Sequence, residues 1–508
     1  MGKMEERREE QRQRPMDVYI VAIGGTGMAP LACLLKDLGH RVRGVDGPLY
    51  PPMSTLLEHA GIDPFVGYDA AHLEGASAEQ PDLIVIGNAV PRSNVEAEAA
   101  ERLRAAGVPI LSMPETVARF LLAGRKPLVA AGTHGKTTTS SMAAWTLHRC
   151  GQHPGWLVGG IPRNLERSFA VGRGERFVVE GDEYNAAYFD RGPKFLHYRP
   201  HTLILTSVEH DHADLYPTHE ALLSRYRELT ALVPEEGLVI ACAGDASALA
   251  RDAITQTGRR TPLLTYGLDP SSDIYPVDLE MDAAGSRFGV VHDSARPGSD
   301  LGSGDARIHL RVAGEHNLLN ALAVWTAARF DQLSETAVAQ ALGEFEGAKR
   351  RLEELGTYAG VTVVDDFAHH PTAVEKSVGG LRQRYPGRRL VLCYEPRSLT
   401  AGRAFFGDAY RSAFSEADVV YFAPLAHEQR LLREGHQVLD LQELVVALRS
   451  VGVEACIATS TDDILQRAVA DARTGDVLAT MSSGSFGGLP SRLVAELGKS
   501  RATAQEET

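Results

Sequence analysis

The segment that most constrains this chain is a glycine-rich turn between an apolar run and a helix-forming run. It reads GTHGKTT from Gly132 to Thr138 and follows the apolar residues Leu128–Ala131. This order predicts a strand, a phosphate-binding loop and a helix, because successive backbone N–H groups and a helix N-terminus attract anions. Ala130 stands where the Walker pattern has its first glycine, so the loop is a variant. The alternative is a glycine turn without a ligand, and a GK pair followed by three threonines argues against it.

Each position of this turn is a candidate contact to ATP. We expect the side chain of Lys136 to be exposed in the loop and to reach the β- and γ-phosphates. We expect the Thr137 hydroxyl to bind Mg²⁺. The other nucleotide-binding candidates in the turn are Gly132, Thr133, His134, Gly135 and Thr138.

Acidic and imidazole side chains follow two further apolar runs of the same block. Glu180 ends one run, and the cluster Glu209–Asp214 follows the run Leu203–Val208. The carboxyl ends of parallel strands face a ligand crevice, so Glu180 and His212 are candidate ligands of a divalent cation, together with Thr137. An imidazole ligand would tolerate Mn²⁺ as well as Mg²⁺. The alternatives are a solvated acidic loop and a surface histidine cluster.

Three blocks of alternating strands and helical stretches follow one another, which predicts doubly wound parallel sheets. The predicted strands are Val18–Ile23, Arg41–Asp46, Leu83–Ile86, Leu128–Ala131, Phe177–Glu180, Leu203–Val208, Leu238–Cys242, Val361–Val364, Leu390–Tyr394, Val419–Phe422 and Val477–Met481. We expect a disordered tail over 1–16, domains over 17–124, 125–348 and 349–498, and a polar tail over 499–508. Gly124–Pro127 predicts a linker, and residues 269–308 predict turns and short strands.

The first block carries its own glycine turn, Gly24–Gly27, directly after the first strand, and Asp46 ends the next strand. This arrangement is typical of a dinucleotide site, although the spacing is not GxGxxG. It indicates that a phosphate-bearing ligand could approach the backbone. A nicotinamide-dependent dehydrogenase and a non-catalytic nucleotide-binding protein therefore remain alternatives from a different class.

Composition limits the classes of binding partner and the cellular compartment that suit this chain. The formal net charge of -14 disfavours a broad basic surface for nucleic acid. The five cysteines form no CxxC pair, which favours buried free thiols in a reducing compartment. The chain opens with a charged segment and has no apolar run of roughly 20 residues, so we expect no signal peptide and no membrane span. We expect a cytoplasmic enzyme without a protein partner.

Basic residues mark the second domain boundary. The run Lys349–Glu353 contains Arg351, and the acidic and imidazole run Asp365–His370 follows a strand. A basic residue on a hinge could close onto a nucleotide held by the neighbouring domain. An ordinary charged linker is the alternative.

These motifs in this order resemble the Mur ligases, which build the peptide of bacterial cell-wall precursors. The resemblance covers residues 17–498 and includes the later runs GEHNLLN and RRLE. It implies three α/β domains: an N-terminal Rossmann-like domain for a UDP-sugar, a central P-loop ATPase and a C-terminal Rossmann-like domain for the amine substrate. It implies that Lys136, Glu180, His212 and Arg351 are catalytic. It also implies that Asn317 and Asn320 contact the nucleotide, Arg351 the γ-phosphate and Asp366 the ribose.

Finer stretches resemble the branch that recycles murein peptide. They include Tyr50–Thr55, Val158–Pro162 and Glu395–Ser398. This branch joins UDP-N-acetylmuramate to L-alanyl-γ-D-glutamyl-meso-diaminopimelate. The substrate-binding residues that the resemblance implies are Gly25, Thr26, Gly27, Asp46, Ser54, Asn164 and Arg397.

The sequence departs from the family pattern at Ser207, Gly181 and Asn185, where asparagine, alanine and aspartate are usual, and in the loop MSSGSFGG. These departures leave the ATPase motifs intact but bear on amine specificity. The alanine-adding ligase of the same family is the nearest alternative. A folate-extending ligase is more remote, because it has no reason to keep the N-terminal domain.

Overall fold

The computed structural model describes residues 14–75, 78–212, 215–292 and 306–506. Three sheets follow one another along the chain, within residues 17–112, 126–310 and 353–481. The predicted three-domain α/β architecture is therefore confirmed. The domain limits after residues 124 and 348 stay predictions.

The N-terminal sheet is wholly parallel, with strand order β3-β2-β1-β4-β5. Its strands are β1 (Asp17–Val21), β2 (Arg41–Asp46), β3 (Phe65–Val66), β4 (Leu83–Ile86) and β5 (Ile110–Ser112). Its helices are Met28–Asp37, Met53–His59, Ala71–Glu74, Val95–Ala105 and Met113–Val117, with a π-helical turn at Ala118–Leu122. The strand order reverses at β1, and such a reversal opens a crevice at the carboxyl ends of the strands. The Gly24–Gly27 turn lies at that end.

The central sheet has ten strands in the order β15-β14-β13-β12-β11-β10-β6-β9-β7-β8. The strands are β6 (Lys126–Ala131), β7 (Gly155–Leu157), β8 (Phe169–Ala170), β9 (Arg176–Gly181), β10 (Thr202–Leu205), β11 (Leu238–Cys242), β12 (Leu263–Tyr266), β13 (Ile274–Asp282), β14 (Gly285–His292) and β15 (Ile308–Leu310). The helices are Lys136–Arg149, His219–Ala231, Asp245–Thr257, Glu315–Phe330 and Glu335–Gly343, with a 3-10 turn at Lys194–His197. The strands β6, β9 and β10 lie side by side, which places the ends that carry the predicted phosphate and metal residues at one edge.

Two local predictions in this domain were wrong. The prediction of only turns and short strands over 269–308 fails, because β13 and β14 form an antiparallel hairpin of nine and eight residues. The polar residues of β13 lie on its exposed outer half, which hides the strand pattern from the sequence. The linker at Gly124–Pro127 is shorter than predicted, since β6 begins at Lys126. Residues 293–305 lie outside the described residues.

The C-terminal sheet has the order β16-β17-β21-β18-β19-β20, with only its β16–β17 pair antiparallel. Its strands are β16 (Glu353–Tyr358), β17 (Val361–Asp366), β18 (Leu390–Tyr394), β19 (Val419–Phe422), β20 (Glu454–Ile457) and β21 (Val477–Met481). Its helices are Pro371–Arg384, Gly407–Ala413, Glu428–Arg433, Leu441–Ser450, Thr461–Asp471 and Leu489–Glu506, with 3-10 turns at Ala404–Phe406 and Phe486–Gly488. The last helix continues into the segment from 499 that we expected to be a polar tail. Most of the expected tail over 1–16 lies outside the described residues.

The apolar strands supply the core of each domain. One core is continuous between the first two sheets and includes Val18, Val85 and Val129. All five cysteines are free, as predicted; Cys33 and Cys393 are buried and the other three are half-buried. In the part of the chain that the structure describes, no helix is long and apolar enough to cross a membrane.

Candidate functional site

The phosphate loop depends on two glycines in the left-handed region. Gly132 has φ +129° and Gly135 has φ +84°, and a Cβ atom at Gly132 would collide with Thr206 and the backbone of Ser207. Gly135 caps the helix, which begins at Lys136. The predicted strand, loop and helix are confirmed, and the helix N-terminus faces the turn.

Only 14% of the Lys136 side chain is exposed, so our expectation of an exposed loop lysine was wrong. Its Nζ donates to the carbonyl oxygens of Gly132 (2.7 Å) and Thr133 (3.2 Å) and pairs with Glu183 at 2.9 Å. Burial alone would lower the pKa of Lys136, but the carboxylates of Glu183 and Glu180 outweigh it and raise the pKa. The lysine is therefore charged and held at the loop, where phosphate oxygens could replace its present partners.

Thr137 and Glu180 converge at the end of β9. The Thr137 hydroxyl donates to Glu180 Oε1 (3.0 Å), and the N–H of Gly159 donates to Oε2 (2.7 Å). Burial, the largest influence, raises the pKa of Glu180 despite nearby Lys136. A divalent cation here would add positive charge beside this half-buried carboxylate. Hydroxyl and carboxylate oxygens are ligands that Mg²⁺ prefers, so the donor set fits the ion.

His212 joins this group through Glu183. Its Nε2 lies 2.9 Å from Glu183 Oε1, and its backbone is left-handed, with φ +52°. Burial would lower the pKa of His212, but Glu183 and Asp211 outweigh it and raise the pKa. Sequence reasoning missed Glu183, although it lies in the same acidic run as Glu180. Ala213 and Asp214 of the predicted cluster lie outside the described residues.

A cavity between the central and C-terminal domains brings together the predicted nucleotide residues. Its lining includes His134, Gly135, Thr138, Asn317, Asn320, Arg351 and Asp366, and also His316, Lys376 and Ser377, which we did not predict. Asn320 Oδ1 accepts from the Thr139 hydroxyl at 3.0 Å, and Asn317 Nδ2 donates to Ala313 O at 2.7 Å. The helix Glu315–Phe330 therefore lies directly against the phosphate loop. Lys376 could not be found from the sequence, because helical periodicity alone does not show which domain a helix faces.

Asp366 lines this cavity, but its carboxylate is already engaged. It accepts from the N–H groups of Leu352 (2.6 Å) and Ala368 (2.7 Å) and from the Ser377 hydroxyl (3.1 Å). Burial raises its pKa, and Arg351 partly offsets this. Asp366 thus orders the segment that carries Arg351, and its contact to the ribose stays a prediction.

The side chain of Arg351 extends from the C-terminal domain to the phosphate loop. Its Nη2 donates to Thr137 Oγ1 at 3.1 Å, and its guanidinium lies over the ring of Phe367, 5.0 Å from the centroid. A second contact across the boundary joins the Thr372 hydroxyl to Glu209 Oε2 at 2.7 Å. The C-terminal domain is therefore closed onto the loop, and the contact of Arg351 to the γ-phosphate stays a prediction.

In the N-terminal domain, Asp46 holds the glycine turn. One of its oxygens accepts from the N–H of Gly24 (2.7 Å), and the other accepts from the N–H of Gly47 (2.8 Å) and the Tyr68 hydroxyl (3.1 Å). Gly25, Thr26 and Gly27 complete the turn before the helix Met28–Asp37, and Ser54 lies in the helix Met53–His59. These residues share the carboxyl edge of the first sheet, as a phosphate-bearing ligand requires.

The two remaining predicted residues differ in their surroundings. Asn164 donates to Glu344 O (2.9 Å) and accepts from the N–H of Glu346 (2.8 Å). Both polar groups of its side-chain amide therefore bind the backbone of residues 344–346. Arg397 follows β18 with its side chain about half exposed (46%), 3.6 Å from Glu395. A Cβ atom at Gly484 would lie 2.5 Å from the Arg397 side chain, so the glycine-rich loop does allow a close approach, here by Arg397 itself.

Comparisons with known proteins cover nearly the whole chain. Family models match residues 17–125 (Mur ligase family, catalytic domain), 130–328 (Mur ligase middle domain) and 350–484 (Mur ligase, glutamate ligase domain). The UDP-N-acetylmuramate–L-alanyl-γ-D-glutamyl-meso-2,6-diaminoheptandioate ligase of Escherichia coli K12 is 37% identical over 96% of this chain and 100% of its own length. A UDP-N-acetylmuramate–L-alanine ligase of Acidithiobacillus ferrooxidans is 32% identical over 93% of this chain and 96% of its own. The crystal structure of a murein peptide ligase from Psychrobacter arcticus, 33% identical, superposes with a TM-score of 0.70 over 95% of this chain and 99% of its own.

Proposed function

This chain belongs to the Mur ligase family, and on that premise we propose that it joins UDP-N-acetylmuramate to L-alanyl-γ-D-glutamyl-meso-diaminopimelate, with cleavage of ATP to ADP and phosphate. One observation carries the proposal: Thr137 contacts both Glu180 and Arg351 where two domains meet, and the charge of Glu180 acts on nearby Lys136. Such a set is what transfer of a γ-phosphoryl group requires.

The reaction explains why ATP is needed. A carboxylate is a poor electrophile, because its leaving group would be oxide. Transfer of the γ-phosphoryl group to a carboxylate oxygen gives an acyl-phosphate and releases ADP. The amine then attacks the carbonyl carbon, phosphate leaves with the C–O electrons, and loss of a proton completes the amide. Several anions crowd together in these steps, so positioning and charge neutralisation are the main tasks of the protein.

The described side chains divide these tasks. Lys136 meets the β- and γ-phosphates from the loop, and Arg351 meets the γ-phosphate from the C-terminal domain. Thr137 and Glu180 would hold Mg²⁺, and His212 would complete the cation site; the ion neutralises phosphate charge when bound, and Mn²⁺ could replace it. Asn317 and Asn320 position the nucleotide beside the loop.

The tripeptide is favoured over alanine by Arg397. Its half-exposed guanidinium lies beside the glycine-rich loop and can bind a carboxylate with two parallel hydrogen bonds. The tripeptide offers several carboxylates beyond its reacting amine, whereas alanine offers one. The name of the E. coli relative, which is 37% identical over 96% of this chain, supports the same choice. Family membership speaks against the dehydrogenase and non-catalytic alternatives.

The test is phosphate release from ATP with UDP-N-acetylmuramate and, in parallel, alanine, dipeptide or tripeptide. A competition at equal concentrations, followed by mass analysis of the UDP product, then identifies the amine. A product that carries alanine alone would replace this proposal with the alanine-adding ligase.

We also propose a cytoplasmic location, since ATP and UDP-sugars are used there.

A further inference from the structure

A buried histidine outside the set described above has no polar partner. His370 precedes the helix Pro371–Arg384 and is 5% exposed, and both of its ring nitrogens are buried without a hydrogen bond among the described residues. An unpaired buried polar atom is costly, so such atoms are rare and call for an explanation. The ring of Phe406 packs against this imidazole at 4.8 Å and holds it in place.

Two potential ligands face this imidazole from the central domain. The ring of His134 lies 4.8 Å from the ring of His370, and its Nε2 is also buried and without a hydrogen bond. His134 Nε2 is 3.5 Å from Glu209 Oε2, longer than a good N–H···O bond. One ligand atom from each of the three residues lies within 4.8 Å of the others. His134 belongs to the phosphate loop. Its backbone N–H donates to the Ser207 hydroxyl oxygen, so this contact of the loop does not use the imidazole ring.

The three donors match a transition metal better than Mg²⁺. Zn²⁺ commonly binds two imidazoles and a carboxylate at about 2.0–2.2 Å and keeps one open position. Ligand atoms of a tetrahedral ion at that distance are about 3.3 Å apart, close to the 3.5 Å between His134 and Glu209.

The charges around this cluster suit a cation. Burial is the main cause that lowers the pKa of His370 to about 4, so at neutral pH its ring is neutral and one ring nitrogen offers a lone pair. The pKa of Glu209 is lowered to about 2, because His134 and Thr372 outweigh the effect of burial, so Glu209 is anionic. Asp211 adds negative charge near His370, whereas Lys376 adds positive charge near Glu209.

We propose that His134, Glu209 and His370 form a second metal site, separate from Thr137 and Glu180, that takes Zn²⁺ or a similar transition-metal ion. The ligands come from two domains, so the ion ties the C-terminal domain to the phosphate loop. Turnover requires release of ADP and product from between these domains, and lids that stay closed slow such release. Zn²⁺ at this site therefore inhibits the enzyme by holding it closed.

The direct test is metal binding by the full chain without substrates, so it does not depend on the ligase assignment. Mg²⁺ is present in excess to fill the Thr137–Glu180 site, and Co²⁺ replaces Zn²⁺ as the probe. We expect one equivalent of Co²⁺ with the intense visible absorption of a four- or five-coordinate ion, displaced by Zn²⁺. Equilibrium dialysis with Zn²⁺ gives the affinity.

Variants locate the ion. His370→Ala and Glu209→Gln should each weaken Zn²⁺ binding at least ten-fold, and His212→Ala, the matched control on the other cation site, should leave it within two-fold of the unmodified chain. Circular dichroism checks folding; if His370→Ala is unfolded, Glu209→Gln, at a half-exposed side chain, decides the question. Unchanged Zn²⁺ affinity in Glu209→Gln, or its loss in His212→Ala, would overturn the proposal.

Discussion

Replacement of Lys136 by alanine tests the phosphate loop and the electrostatics of its surroundings together. The lysine pairs at 2.9 Å with Glu183, whose side chain is 2% exposed. Removal of Nζ leaves that carboxylate buried with His212 as its remaining ion-pair partner. An unpaired buried charge costs 3–5 kcal/mol, and because His212 stays in place we expect a loss of about 1–3 kcal/mol in the free energy of unfolding.

The same substitution should also reduce turnover. The contact of Lys136 to the γ-phosphoryl group strengthens as charge develops in the transition state, so we expect a loss of about 10²-fold or more in kcat, or about 2.7 kcal/mol. Phosphate release measures the rate, and urea denaturation measures the stability.

A double variant separates the two effects. Lys136→Ala with Glu183→Gln removes the buried charge as well as its partner, so it should recover part of the lost stability but none of the activity. A double variant no more stable than Lys136→Ala would refute the argument about the buried carboxylate. Near-normal turnover in Lys136→Ala would refute the assignment of the loop to ATP.

Three further predictions follow from the same contacts. Arg351→Ala should lower kcat about 10²-fold by loss of a cationic contact to the γ-phosphate, and the exposed neighbour Lys349→Ala should not; equal effects in phosphate-release assays would contradict the role of Arg351. Arg397→Ala should weaken tripeptide binding by about 1.5–3 kcal/mol, seen as a higher KM for tripeptide with an unchanged KM for ATP. Burial lowers the pKa of His316 and of His370 to about 4 from an ordinary 6.5. The unfolded chain therefore binds more protons at these two groups between about pH 4 and pH 6.5. The thermal midpoint should fall as the pH drops through this range, and a midpoint that rises on this acidification would show the sign to be wrong.

The sequence alone determined the features that depend on neighbouring residues. The phosphate loop could be predicted because its chemistry lies in backbone N–H groups and glycines within seven positions, between a strand and a helix. The three-domain order and most strands followed from alternation of apolar runs and helical stretches. The hairpin β13–β14 was not predicted from the sequence, because half of β13 is exposed and its apolar alternation is therefore weak.

Tertiary structure decided which side chains meet. Glu183 joins Lys136 to His212 because β6, β9 and β10 are neighbours in the sheet, and no local pattern shows that order. Asn164 binds the backbone of residues 344 and 346, and its predicted contact to substrate stays a prediction. His370 comes within reach of His134 only because one domain closes on another. Periodicity is a property of a few consecutive residues, whereas a charge cluster depends on strand order and domain packing across hundreds of positions.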